Sequence, residues 1–273
     1  MNMIPSTSKA LALACLLAPG LNAVTLATYD FDGAVNNVQS PSYAVGSYDN
    51  TALQSAGDLT YFASSGGSQG ITPQGDTVRG NPVPSIKDQF TNTGFSATTL
   101  DSAIDNDDYF SFTLTPTSGN TLNFGGSDSV SFDTQIFYTG DAVDPGSTTM
   151  SFSLLSSVDG FASSADQVGT TQTFTFNNVG GTESGFSNLS ISLASLGTIG
   201  TDVPLELRLY VFREFSGSGD VPFASERFMN IDNIVTTGSS IIPEPSSSTV
   251  ALGSFILLFV LAGVRKVRRQ EQA

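Results

Sequence analysis

The feature that most constrains this fold is a hydrophobic period of two. Phe110, Phe112 and Leu114 alternate with serine and threonine, and Val130, Phe132 and Ile136 alternate with Ser131, Asp133 and Gln135. Met150, Phe152 and Leu154 repeat the pattern, as do Leu189, Ile191 and Leu193. The longest case sets Leu205, Leu207, Leu209 and Val211 against Glu206, Arg208, Tyr210 and Phe212. In an extended chain, successive side chains point to opposite sides, so each run puts one face into a core and the other outward. Turn-forming groups separate the runs: Pro116 to Asn120, Asp144-Pro145-Gly146 and Gly180-Gly181. Short strands punctuated by turns, without a long amphipathic helix, predict an all-β sandwich or barrel, with a jelly-roll-like sandwich as the specific expectation. Tyr29–Phe31 and Leu59–Ala63 read as earlier strands, and Ser64–Gly80 as a long irregular loop. No fixed-period repeat is present, and the pattern leaves strand order open.

The two ends differ in kind from this middle. Lys9 precedes an apolar segment, Ala10 to Ala18, broken by Pro19-Gly20 and ending in Leu21-Asn22-Ala23. That is the layout of a secretory signal peptide, with cleavage expected after Ala23 and Ala27 as the alternative position. Cys15, the single cysteine, belongs to this removable segment, so the mature chain has neither disulfide nor thiol chemistry. At the other end, Thr249 to Val264 carries no charge and is apolar all round, unlike the one-sided stripe of a core helix. Sixteen helical residues would extend about 24 Å at about 1.5 Å each, against a hydrocarbon core of about 30 Å. Flanking serines and long basic side chains can make up the difference. Arg265, Lys266, Arg268 and Arg269 follow, and such a cluster stays on the cytoplasmic side. The expected organisation is a signal peptide (1–23), an exported β-sandwich domain (24–238), a linker (239–248), a transmembrane helix (249–264) and a basic cytoplasmic tail (265–273).

The linker contains Pro243, Glu244 and Pro245, with prolines that hold the stretch extended and forbid a helix there. A Pro-Glu-Pro signal, one hydrophobic span and a basic end, in that order, resemble the PEP-CTERM sorting tail of exported bacterial proteins. The resemblance covers about thirty residues and none of the middle. It implies that Pro243, Glu244 and Pro245 are read by an exosortase, a membrane-embedded cysteine protease or transpeptidase. It also implies a single-pass inner-membrane intermediate with the domain outside, then the cell surface or extracellular matrix. Family members are associated with exopolysaccharide-producing bacteria, which makes extracellular polysaccharide a partner implied by the resemblance.

Charge narrows the remaining classes. Five of the ten Lys and Arg residues and two of the 25 acids lie outside residues 24–240, which leaves 5 against 23 and a net charge of −18. So acidic a surface repels nucleic acid, which is not an expected partner. The chain has no histidine, which removes Ser-His-Asp and Cys-His sites and most zinc sites. No phosphate-binding loop or dinucleotide fingerprint is present. A glycosidase needs only two carboxylates, but residues 24–240 hold just four glutamates: Glu183, Glu206, Glu214 and Glu226.

No catalytic set is expected, and no cofactor apart from calcium. Calcium takes carboxylate and carbonyl oxygens, and Asp105, Asp107 and Asp108 are its best candidates, although the EF-hand spacing fails. Asp30 and Asp32 share a face of an early strand, and Asp232-Asn233 interrupts the last one. Solvated turn residues are the plainer reading of all three groups. Glycan binding would lean on exposed rings; tryptophan is absent, and Tyr43, Tyr48, Tyr138 and Tyr210 are the candidates. The expectation is a non-enzymatic surface or matrix protein. A carbohydrate-binding module is the alternative, and a carbohydrate-active enzyme stands behind it.

Overall fold

The computed structural model describes residues 23–31, 42–62, 72–75, 82–88, 97–139, 146–177, 187–217 and 226–242. Its strands are β1 (Val24–Tyr29), β2 (Ser42–Tyr43), β3 (Ser47–Tyr48), β4 (Leu53–Ala56), β5 (Leu59–Phe62), β6 (Thr72–Gly75), β7 (Pro82–Asp88), β8 (Tyr109–Pro116), β9 (Thr121–Asn123), β10 (Ser129–Thr139), β11 (Gly146–Ser156), β12 (Gln167–Asn177), β13 (Ser187–Ser192), β14 (Leu205–Gly217) and β15 (Glu226–Ile241). One short helix, α1 (Leu100–Asp105), precedes β8.

The strands form two antiparallel sheets. An eight-stranded sheet runs β13-β10-β15-β1-β3, with β7 and β9 also on β15 and β6 on β7; a seven-stranded sheet runs β12-β11-β14-β8-β5-β2, with β4 on β8. The eight principal strands are β1, β8 and β10 to β15. Numbered one to eight along the chain, they stand in the order 1-8-3-6 in one sheet and 2-7-4-5 in the other. Closing such pairs requires contacts between distant segments, above all β1 with β15, where Val24 lies opposite Gly238.

The alternating residues meet between the sheets. Phe110, Phe112, Leu114, Val130, Phe132, Met150, Phe152, Leu154, Ile191, Leu193, Leu205, Leu207, Leu209 and Val211 are all buried in one core. Phe132 and Phe152, from facing sheets, sit with ring centroids 4.9 Å apart. Tyr29 spans the core beside Phe112 at 5.2 Å, and its hydroxyl donates to the Gly57 carbonyl at 2.6 Å. A buried phenol needs such an acceptor. At one side the two sheets nearly touch: a Cβ on Gly169 (φ +68) would lie 2.6 Å from the Ser192 carbonyl oxygen. Only glycine allows that approach of β12 to β13.

Three expectations change. Ser64–Gly80 is not irregular throughout, because Thr72–Gly75 pairs with β7. Gln135, read as outward, is buried, as are Ser151 and Ser153 on the outward side of β11. Tyr210, read as an exposed ring, is buried, for the reason given below. The last strand also continues to Ile241. Among the described residues no helix is long and apolar enough to cross a membrane. The signal segment 1–22, the Pro243–Pro245 tripeptide, the apolar run 249–264 and Arg265, Lys266, Arg268 and Arg269 all lie outside the described residues.

Candidate functional site

The outer face of the seven-stranded sheet carries a group of aromatic and charged side chains. Register brings them together. Tyr210 on β14 lies opposite Tyr109 on β8, which lies opposite Phe62 on β5; one rung along, Arg208, Ser111 and Thr60 line up in the same way. The rings form a row, Phe62 to Tyr109 at 4.9 Å and Tyr109 to Tyr210 at 5.0 Å. Tilted contacts at this distance are the favoured aromatic geometry.

Arg208 is held beside this row. Its guanidinium carbon lies 3.8 Å from the ring centre of Phe161 and 4.6 Å from that of Tyr109. Its Nε donates to Glu206 Oε1 at 2.7 Å, and Ser111 Oγ donates to the same oxygen at 3.1 Å. Burial opposes the charge on Arg208, but hydrogen bonds with Glu206 and Tyr210 outweigh it and keep the group firmly protonated. Burial also raises the phenol pKa values of Tyr109 and Tyr210; the Arg208 charge partly opposes this at both.

Two segments lie over the row. Helix α1 starts at a capping box: Thr99 Oγ1 accepts from Ser102 N at 3.2 Å, and Ser102 Oγ accepts from Thr99 N at 3.0 Å. It brings Leu100 and Ala103 into a second apolar cluster with Ala97, Tyr109, Leu155 and Tyr210, joined at the rim by Ile104, Phe161 and Phe212. The loop that carries Phe161 is tied down at both ends. Ser157 Oγ accepts from Glu206 N at 3.0 Å, and Asp101 of α1 accepts from Ser164 N at 2.9 Å. Tyr109 and Tyr210 are therefore only 6% and 1% exposed. Phe62, at 42%, stays open at the end of the row, and the Arg208 and Glu206 side chains remain 23% and 32% exposed. An open ring at the end of this row can stack on an apolar sugar face, and the guanidinium and carboxylate further along the same face can hydrogen-bond sugar hydroxyls.

Period two puts Glu206, Arg208 and Tyr210 on one outward face but carries no sign of the clamp. Phe161, α1 and Phe62 reach that face from distant segments. The one legible signal was Arg208 itself, one of five basic residues in 24–240, set mid-strand next but one to a glutamate. Of the other tyrosines, Tyr48 is exposed, Tyr43 is half-buried against Phe31 at 5.5 Å, and the Tyr138 side chain is not described.

The calcium candidates are not assembled into a ligand set. Asp105 ends α1 and is exposed, Asp107 is exposed at φ +53, and Asp108 is fully buried. The tight turn out of the helix sends the last residue inward and its neighbours outward. Among the described residues no group of three His, Cys, Asp or Glu side chains is placed to hold a metal ion. Asp232 and Asn233 mark a bulge on the outer face of the eight-stranded sheet, with Asn233 at φ +49. There Asp133 accepts from Asn188 Nδ2 and from Asn233 Nδ2, each at 3.0 Å, and Asp232 Oδ1 accepts from Asn233 N at 2.8 Å.

No protein-family model matches this chain, and no curated protein matches it in sequence. Among solved structures it shows a loose likeness to CBM28, a carbohydrate-binding module specific for non-crystalline cellulose. The two are 13% identical, with 73% of this chain and 96% of that one covered, at a TM-score of 0.35. So loose a likeness carries no argument about ligand.

Proposed function

We propose that this chain is a non-enzymatic exported protein of the cell surface or matrix. Its sandwich, with the strand order of a jelly roll, is delivered outside and then processed at a PEP-CTERM-like tail. The observation that carries this reading is the pairing of Val24 with Gly238 in adjacent strands. The segments read as export signal and membrane anchor thus leave the sandwich side by side. From Ile241 to Thr249 the intervening seven residues reach at most about 25 Å when extended. One end of the sandwich is therefore committed to the membrane, and the sheet faces and the far end stay free. The test is fractionation of the native host. Deleting residues 1–23 should keep the chain in the cytoplasm, and Glu244→Ala should accumulate a full-length membrane form.

A second reading is favoured by Phe62, whose exposed ring lies against Tyr109, the ring that Arg208 also covers. On this reading the face docks a polysaccharide chain. Affinity electrophoresis in gels cast with the host's exopolysaccharide tests it. Retardation should fall with Phe62→Ala and with Arg208→Ala; a parent protein that is not retarded would rule out this role and leave the tethered-protein reading standing.

A further inference from the structure

Most strands of this sandwich have partners on both sides, but β12 does not. Among the described residues it pairs with β11 alone and ends the seven-stranded sheet. Among the described residues, no backbone hydrogen bond is made from its outer edge. The strand, Gln167–Asn177, holds no Asp, Glu, Lys, Arg or Pro; a bulge takes Gly169–Thr171 out of the ladder with β11 and Gly169 lies against Ser192 of β13, so the regular open stretch is Gln172–Asn177. Its neighbour β11 (Gly146–Ser156) is equally free of charge and proline. A long open edge is normally blunted by lysine, proline or shortness, because its unpaired N–H and C=O groups template another strand. The opposite ends of both sheets obey that rule, since β2 and β3 have two residues each. Beside β12 the end of the other sheet, β13 (Ser187–Ser192), is uncharged as well.

We infer that β12 is an assembly edge and that its occupant is a second copy of this chain, paired antiparallel, β12 to β12, across a two-fold axis. Three observations favour a copy of itself. Only an extended backbone satisfies a row of strand donors and acceptors. Two domains of net charge −18 repel, and this edge lets them meet without like charges in register. The strand exposes Thr170, Thr173 and Thr175, and threonines opposite one another form favourable rungs. Thr175 already makes such a rung with Thr149, Oγ1 to Oγ1 at 2.9 Å. Because the far ends of the sheets are short, pairing stops at a closed dimer and does not run on into a fibre.

The full chain in density-matched detergent micelles, followed by sedimentation velocity from about 1 to 100 µM, should show a dimer that dissociates on dilution. Thr173→Lys combined with Thr175→Lys should weaken it about tenfold or more, and should lower the melt of the dilute monomer only slightly, through the lost Thr175–Thr149 bond. Single cysteines at Thr170, Thr171, Thr173 and Thr175, each in a Cys15→Ser background, should give an oxidised dimer at the position nearest the axis and less on either side. Ser47→Cys, on the opposite edge, should give no oxidised dimer. A parent that is monomeric throughout overturns the inference. So does a dimer that the lysines leave intact, or one that cross-links as well at Ser47→Cys.

Discussion

The outer faces of the two sheets are built from the same alternation and end in opposite states. On the seven-stranded sheet, outward Tyr109 and Tyr210 are buried under α1 and the Phe161 loop, with Arg208 clamped between rings. On the eight-stranded sheet, outward Asp133, Asn188 and Asn233 form a hydrogen-bonded amide and carboxylate group that stays partly or fully open to water. Alternation decides which way a side chain points. Whether outward means solvated depends on what the rest of the chain lays over that face. Polar groups suffice where nothing covers the strands; where a helix and loop cover them, the outward residues become a second core.

The comparison is most easily broken at Tyr210. Tyr210→Ala should destabilise the fold by about 3 to 5 kcal/mol, as truncations of large buried aromatics do, measured by urea unfolding. A loss below 1 kcal/mol would mean that the covered face is not a core. Arg208→Ala comes next, at about 1 to 2 kcal/mol, because a partly exposed ion pair contributes little and most of the loss comes from the ring contacts. Arg208→Lys should recover under half of that, since an ammonium cannot stack flat between Phe161 and Tyr109; full recovery would reduce the clamp to charge alone.

A smaller effect should appear in alkali. Tyr29, Tyr109 and Tyr210 are all held above the ordinary phenol value of 10.0, burial being the first cause at each. The unfolded chain therefore loses these protons first. Their contribution is complete below about pH 10 and declines as the pH rises above it. Tyr210→Phe should flatten that decline in thermal melts taken from pH 8 to 11, and an unchanged slope would contradict the burial of this hydroxyl. The smallest change belongs to the open face. Asn188→Ala removes one exposed hydrogen bond to Asp133 and should cost about 1 kcal/mol or less. A loss matching that of Tyr210→Ala would erase the difference between the faces.

The sandwich and its inner residues were legible in the chain because period two is a local property: Leu205 to Val211 declare a buried face without reference to any partner. Strand order was not legible, since the pairing of Val24 with Gly238 depends on segments more than two hundred residues apart. Helix α1 escaped because six residues are too few to show a 3.6-residue period, although Thr99 and Ser102 carry its capping signal. The clamp escaped for a related reason: Arg208 meets Phe161 only after β11, β12 and β14 have paired. The aspartates illustrate the limit in the other direction. Asp105, Asp107 and Asp108 are close in sequence, yet a turn with Asp107 at φ +53 separates their environments.

The most direct test of the whole account is the intact mass of the exported protein in its native host, parent against Glu244→Ala. The parent should begin near Val24 and have lost its tail, and the Glu244→Ala protein should begin at the same residue but keep every residue to Ala273 in the membrane fraction. A Glu244→Ala protein trimmed and released like the parent would contradict it.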